Sequence, residues 1–165
     1  MDFKWFPLDR ADVKDVDRIA RQIHPTLPER VEVFEEKIRL FPEGCCKFVE
    51  AENIVGYGIS HPWKLFSVPP LNQLIGSLPD NPDCIYIHDV AVLPEARGHN
   101  AAGSFVEIIT KLARRMHIQK LSCVSVYGTE ALWSRFGFQA ASTETMGSKL
   151  NSYGNGTKYM IADLA

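Results

Sequence analysis

Apolar residues recur at three- and four-residue spacing from Ala102, at Phe105, Val106, Ile109, Leu112, Ala113 and Met116. This predicts a helix with one buried face that ends near His117. Just upstream, Ile85, Ile87, Val90 and Val92 supply β-branched residues for a strand, Pro94 stops it, and Arg97-Gly98-His99-Asn100 forms a turn with few bulky side chains. Residues 84–117 therefore read as strand, turn, helix. Towards the N-terminus, Val13, Val16, Ile19, Ala20 and Ile23 share a helical face, with Asp9 or Asp12 as the cap and Pro25 as the stop. Thr26-Leu27-Pro28-Glu29 has the Ser/Thr-x-x-Glu form of a capping box. It would open a second helix, with Val31, Phe34, Ile38 and Phe41 on its buried face.

The strands follow from shorter alternations. Residues 3–8 form a first strand, and 46–51 and 54–60 form an antiparallel hairpin joined at Glu52-Asn53. Gly56 and Gly58 weaken the second arm. A bulge or tight packing contact is the favoured reading of them, ahead of close approach by another backbone or a ligand. Residues 120–126 alternate as a strand, 129–136 form a short helix ending at Gly137, Phe138 starts another strand, and 158–164 form the last. Residues 142–156 are polar and read as a loop across an end of the sheet. From 62 to 82 the chain carries five of its ten prolines among apolar residues, a long irregular loop. It is expected to wall a substrate site, or else to cover a sheet edge or support a dimer. Helices alternating with strands imply a mixed α/β sheet.

Composition narrows this picture to one domain spanning 1–165. The 165 residues are 45% hydrophobic, enough for a substantial core, and the formal charge is −2, which excludes a global field favouring nucleic acid or an anionic membrane. Nowhere do some twenty apolar residues follow one another, so a soluble, cytoplasmic protein is expected. Cys45, Cys46, Cys84 and Cys123 lack metal-ligand or disulfide-scaffold spacing, and His24, His61 and His117 suggest no metal site. No metal is expected.

The 84–117 unit has a chemical use. The first N–H groups of a helix lack internal partners and carry partial positive charge that suits a phosphate, and small residues let the anion approach. Asn100 is the residue best tolerated after glycine where φ must be positive. Residues 90–102 resemble the acetyl-CoA-binding motif of the GNAT superfamily of N-acetyltransferases: a hydrophobic strand, a proline, then (Gln/Arg)-x-x-Gly-x-(Gly/Ala). Arg97 and Ala102 match its ends, and Asn100 stands at its middle glycine. Ala131-Leu132-Trp133-Ser134-Arg135-Phe136-Gly137-Phe138 resembles the family's later Leu-Tyr-Glu-Lys-Leu-Gly-Phe block, with Trp133 in place of the tyrosine.

The resemblance threads over nearly the whole chain, and it implies a mixed, mostly antiparallel central sheet flanked by helices. It implies an acetyl-CoA-dependent N-acetyltransferase that transfers acetyl directly to the primary amine of a small molecule. The alternatives are a protein or peptide acetyltransferase, or a noncatalytic acetyl-CoA-binding domain; a monomer and a homodimer are both open. By resemblance, the first two helices border the acceptor. The main chain of Val90, Ala91 and Val92 would contact the acetyl carbonyl and pantetheine, with Trp133 alongside. Arg97, Gly98, His99, Asn100, Ala101 and Ala102 would surround the pyrophosphate.

Alternation puts Tyr86, His88 and Val90 on one strand face and Ile85, Ile87 and Asp89 on the other. Tyr86 and His88 are the catalytic candidates on this face, and His88 is the candidate base, because an imidazole with an ordinary pKa near ~6.5 is partly neutral at cytoplasmic pH. Some family members that acetylate arylalkylamines carry histidines at the positions of Tyr86 and His88. Asp89 competes as base only if a bulge turns it. Trp133 cannot protonate a thiolate, since an indole N–H has no useful acidity, which leaves Tyr127 or water as the acid. Cys123 has no neighbour to activate it and reads as a buried structural thiol.

Overall fold

The computed structural model describes residues 2–141, 146, 150, 152–154 and 156–165. Seven strands form one sheet: β1 (Phe3–Pro7), β2 (Cys45–Glu50), β3 (Asn53–Trp63), β4 (Cys84–Val92), β5 (Lys120–Ser125), β6 (Phe138–Ala140) and β7 (Lys158–Asp163). Their spatial order is β1-β2-β3-β4-β5-β7-β6. All neighbours are antiparallel except β4 and β5. This is the mixed, mostly antiparallel sheet that the residue pattern and the family resemblance implied.

The helices are α1 (Val13–Ile23), α2 (Val31–Leu40), α3 (Ala101–Arg115) and α4 (Glu130–Ser134). Val16 and Ile19 of α1 and Phe34 and Ile38 of α2 pack with Tyr57, Ile59 and Ala91 on one side of the sheet. Phe105, Ile109 and Leu112 of α3 pack with Ile85, Ile87, Leu121 and Cys123 on the other. Burying one such side chain is worth about 1.5–3 kcal/mol, so these two layers dominate stability. Gly58 belongs to the second layer, where a Cβ would run into the Phe105 ring, and a Cβ on Gly56 would meet the carbonyl of Ala91. The paired glycines thus mark tight packing. Among the described residues no helix is long and apolar enough to cross a membrane.

Several boundaries differ from the sequence reading for physical reasons. The β2–β3 turn sits at Ala51 and Glu52, both with positive φ, one residue earlier than expected. Asp9 caps a short 3-10 turn, Arg10–Asp12, in a reciprocal box with Asp12, and that turn leads into α1. The capping box at Thr26 to Glu29 does not form: α2 starts at Val31 with Arg30 as its N-cap and no side-chain cap bond. Glu29 is turned inward to long-range partners instead. Phe41 lies just past the end of α2 and packs in the core.

The long connection 64–83 folds back over the α2 side of the sheet. Tyr153 Oη donates to Pro69 O at 2.7 Å, the Ser152 hydroxyl accepts from Leu71 N, and Glu36 accepts from Ile75 N and Gly76 N at 2.7 and 2.9 Å. Asn72 makes the tightest latch. Its Oδ1 accepts from Arg30 N at 2.7 Å, its carbonyl accepts from Arg30 Nη2, and its own N–H donates to Glu29 at 2.9 Å. The expected loop 142–156 lies partly outside the described residues, but Met146, Leu150 and Tyr153 within it are buried against Val68 and Tyr86.

Candidate active site

The parallel ladder between β4 and β5 runs only from Ile85↔Leu121 to Ile87↔Cys123. Beyond it β4 continues to Val92 and β5 to Ser125 without pairing to each other. A groove of about 680 Å³ opens there, with Val90, Ala91 and Val92 on one wall and Val124, Val126, Tyr127 and Trp133 on the other. Arg97, Gly98, Asn100, Ala101 and Ala102 line it too. A 3-10 turn at Pro94–Ala96 leads into this loop. Gly98 has φ +85° with open space where a Cβ would stand, and Asn100 takes φ +53°, ψ +38° as the N-cap of α3. Asparagine therefore supplies the left-handed turn for which the family motif uses glycine. The Asn100 side chain does not cap α3, and among the described residues no side chain accepts from its first N–H groups. That end of the groove fits a pyrophosphate. His99 does not line the groove; its ring stacks on Phe3 at 4.0 Å.

The other end of the groove is set by an irregularity in β4. Asp89 pairs with Ile59 and Ile87 with Ser60, leaving His88 as the extra residue of a β-bulge. Regular alternation would have placed Asp89 opposite His88 and Val90 with it. Instead His88 and Asp89 both turn to the side of α1 and α2, whereas Val90 packs with Ile85 and Ile87 beside α3. The expected face grouping fails at Val90 and Asp89 for this reason.

The α1–α2 connection gives each of these residues a partner. His88 Nε2 lies 2.8 Å from Glu29 Oε1, and Asp89 Oδ1 lies 2.8 Å from His24 Nε2. Because a carboxylate only accepts, Nε2 carries the hydrogen in both imidazoles. His88 Nδ1, the nitrogen that carries the lone pair in the neutral ring, is buried with no hydrogen-bond partner among the described residues. Burial alone would raise the Glu29 carboxyl, but the His88 ring, the Asn72 N–H and Lys37 outweigh it and hold it down to about 2. Burial likewise works against charge on His24, yet the Asp89 carboxylate raises its pKa overall. Tyr57 Oη donates to the second Asp89 oxygen.

Tyr127 stands at the mouth with φ +55° and is 55% exposed. Its hydroxyl is 3.1 Å from His24 Nδ1 and the two rings stack. Tyr86 is sealed off: fully buried, it donates to the Tyr153 hydroxyl at 3.0 Å and does not line the groove. Cys123 is buried too, and burial pushes its thiol far above the usual range, so it offers no thiolate. A smaller cavity of about 40 Å³ shares His24, His88, Asp89, Val124 and Val126 with the groove and adds Glu29, Leu27, Leu71 and Tyr153. Among the described residues no group of three or more His, Cys, Asp or Glu side chains is arranged to hold a metal ion.

Sequence reasoning missed Glu29 and His24. The letters Thr-x-x-Glu had a sufficient local explanation, and His24 was weighed only as a metal ligand. The one available signal was His88-Asp89 itself, two adjacent polar residues inside an apolar strand.

The model of the acetyltransferase (GNAT) family matches residues 13–138. The chain belongs to that family, whose chemistry is acyl transfer from acetyl-CoA. No curated protein matches it in sequence. Among solved structures, N-acetylglutamate synthase from Neisseria gonorrhoeae, complexed with coenzyme A and N-acetyl-glutamate, is similar over the whole chain with a TM-score of 0.75 and 19% identity. This chain spans 36% of that enzyme. The loading GNATL domain of CurA from Lyngbya majuscula gives a TM-score of 0.81 at 12% identity, over 99% of this chain and 98% of that one. The ribosomal-protein-S18-alanine N-acetyltransferase from Escherichia coli gives 0.69 at 12%, over 99% and 95%.

Proposed function

We propose that the protein transfers the acetyl group of acetyl-CoA directly to the primary amine of a small molecule. The observation that supports a small acceptor is the narrow cavity beside the groove. The latched loop roofs it with Leu71, and the Glu29 carboxylate in its wall gives it negative charge that suits an incoming ammonium. Acetyl-CoA supplies the acyl group as a thioester, with its pyrophosphate on the Arg97–Ala102 turn and its carbonyl near the main chain of Val90 to Val92. His88 takes a proton from the incoming ammonium on Nδ1, directly or through a water; the neutral amine so formed attacks the thioester carbonyl, and its second proton leaves to solvent as the N–C bond forms. Glu29 steadies the resulting imidazolium through Nε2–H. Tyr127 gives its hydroxyl proton to the sulfur as the C–S bond breaks.

Mass detection of acetylated products over a panel of small amines, lysine peptides and peptide N-termini tests the acceptor class. Small amines should dominate. Acetylation of peptides alone would overturn the small-molecule reading, and no product from any amine would make the domain a noncatalytic binder. His88→Gln should lower turnover by about 10²-fold, the scale of general-base loss, with acetyl-CoA affinity unchanged. The deficit should shrink at high pH, where the amine arrives neutral; normal activity at every pH would exclude His88 as base.

A further inference from the structure

Two carboxylate–histidine pairs flank the groove, and the acyl-transfer reading uses only one of them. Resting on that reading, we infer that His24, held by Asp89, is the proton donor behind Tyr127, so that the acid for the departing thiolate is a two-residue relay. The family's late tyrosine is a tryptophan here, so an acid has to be assembled elsewhere, and the geometry assembles one. Asp89 fixes the His24 ring by accepting from Nε2–H at 2.8 Å, and Tyr57 fixes Asp89 from its other oxygen. Nδ1 is thereby aimed at the Tyr127 hydroxyl, 3.1 Å away, with the two rings stacked at an interplanar angle of 12°.

Protonation completes the arrangement. When His24 is an imidazolium, Nδ1–H donates to the Tyr127 oxygen and leaves the phenolic hydrogen free to point into the groove. The step then balances. As the C–S bond breaks, its electron pair stays on sulfur, the Tyr127 proton moves to sulfur, and the Nδ1 proton of His24 moves to the phenolate oxygen. Neutral His24 remains bonded to Asp89 and regains a proton from solvent at its exposed edge, its side chain being 13% accessible.

The groups around His24 favour its charged form. Asp89 from β4 and Glu29 from the connection to α2 are acidic. The nearby cations are committed elsewhere, Arg21 to Asp17 at 2.9 Å and Arg30 to Asn72. Thr26 reaches the Tyr127 oxygen from the same connection. Tyr127 itself is held protonated by partial burial and the Asp89 charge, as an acid must be before it acts.

The test compares donors with poor and good leaving groups. With acetyl-CoA, His24→Gln and Tyr127→Phe should each lower kcat by about 10²-fold, and the double variant no further, as expected of residues acting as one unit. With an acetyl ester of an acidic aryl thiol, whose thiolate leaves without a proton, both single variants should return to within a few-fold of wild type. The alkaline fall in wild-type kcat, which reports loss of the His24 proton, should vanish in His24→Gln. Calorimetric acetyl-CoA affinity should be unchanged in both variants, which separates the relay from a packing defect. Equal losses with both donors, additive losses in the double variant, or a retained alkaline limb would overturn the relay while leaving acyl transfer standing. Absence of any amine acetylation by wild type would overturn both.

Discussion

Asn100 shows which residue-scale properties a sequence carries openly. Its left-handed backbone depends on the residue's own sterics and on the helix it precedes, so it was legible without tertiary information. Glu29 shows the opposite. Its identity fits a local cap, but a buried imidazole and the Asn72 N–H offer charge-assisted bonds worth more than an exposed cap, and neither partner is near in sequence. The cofactor loop can therefore be tested at single residues. Ala102→Glu would set a carboxylate among the N–H groups proposed to hold phosphate, and should abolish acetyl-CoA binding by calorimetry. Asn100→Gly keeps the required φ and should preserve or tighten binding. Unchanged binding in the first variant, or severe loss in the second while folded, would contradict this assignment.

At the scale of elements, the buried faces of α1 and α3 follow the sequence spacing, whereas α2 buries Val33, Glu36 and Lys37 beside the expected Phe34 and Ile38. The misreadings fall where one element answers to another. The bulge in β4 is visible only through its register with β3, and it alone brings His88 and Asp89 to the same side of the sheet. The start of α2 moved because its expected cap was drawn into the site. The 64–83 loop was legible as irregular and apolar, but its latch was not, since Asn72 is an ordinary polar residue until Arg30 and Glu29 reach it. Asn72→Ala removes the oxygen that accepts from Arg30 N and Nε. It should lower stability by about 1–2 kcal/mol in denaturant unfolding. The KM for the amine should rise several-fold while acetyl-CoA affinity stays constant; an equal change in both would place the loop's role outside the acceptor side.

Across the whole molecule, buried titratable groups set the response to acid. Burial drops the His61 imidazole from 6.5 to about 3, and Glu29 sits at about 2 against an ordinary 4.5. In both cases the unfolded chain binds protons that the native state refuses. Stability should therefore fall as pH drops, from about 6.5 towards 3 through His61 and from about 4.5 towards 2 through Glu29. His61→Asn, whose amide can still donate to Pro62 O, should flatten the loss between pH 6.5 and 4.5 in unfolding measurements made across that range.

The short ladder between β4 and β5 has a mechanical consequence. The backbone ladder that joins the half-sheet β1-β2-β3-β4 to the half-sheet β5-β7-β6 has three residue pairs, Ile85↔Leu121 to Ile87↔Cys123, with α3 bridging on one side and side-chain bonds such as Tyr86–Tyr153 on the other. A donor lying in the groove acts as a bolt across that seam. Its binding energy then appears as resistance to the halves parting, added to the native state by mass action. Amides of β4 and β5 along the seam would gain protection from hydrogen exchange ahead of those in β1 and β2.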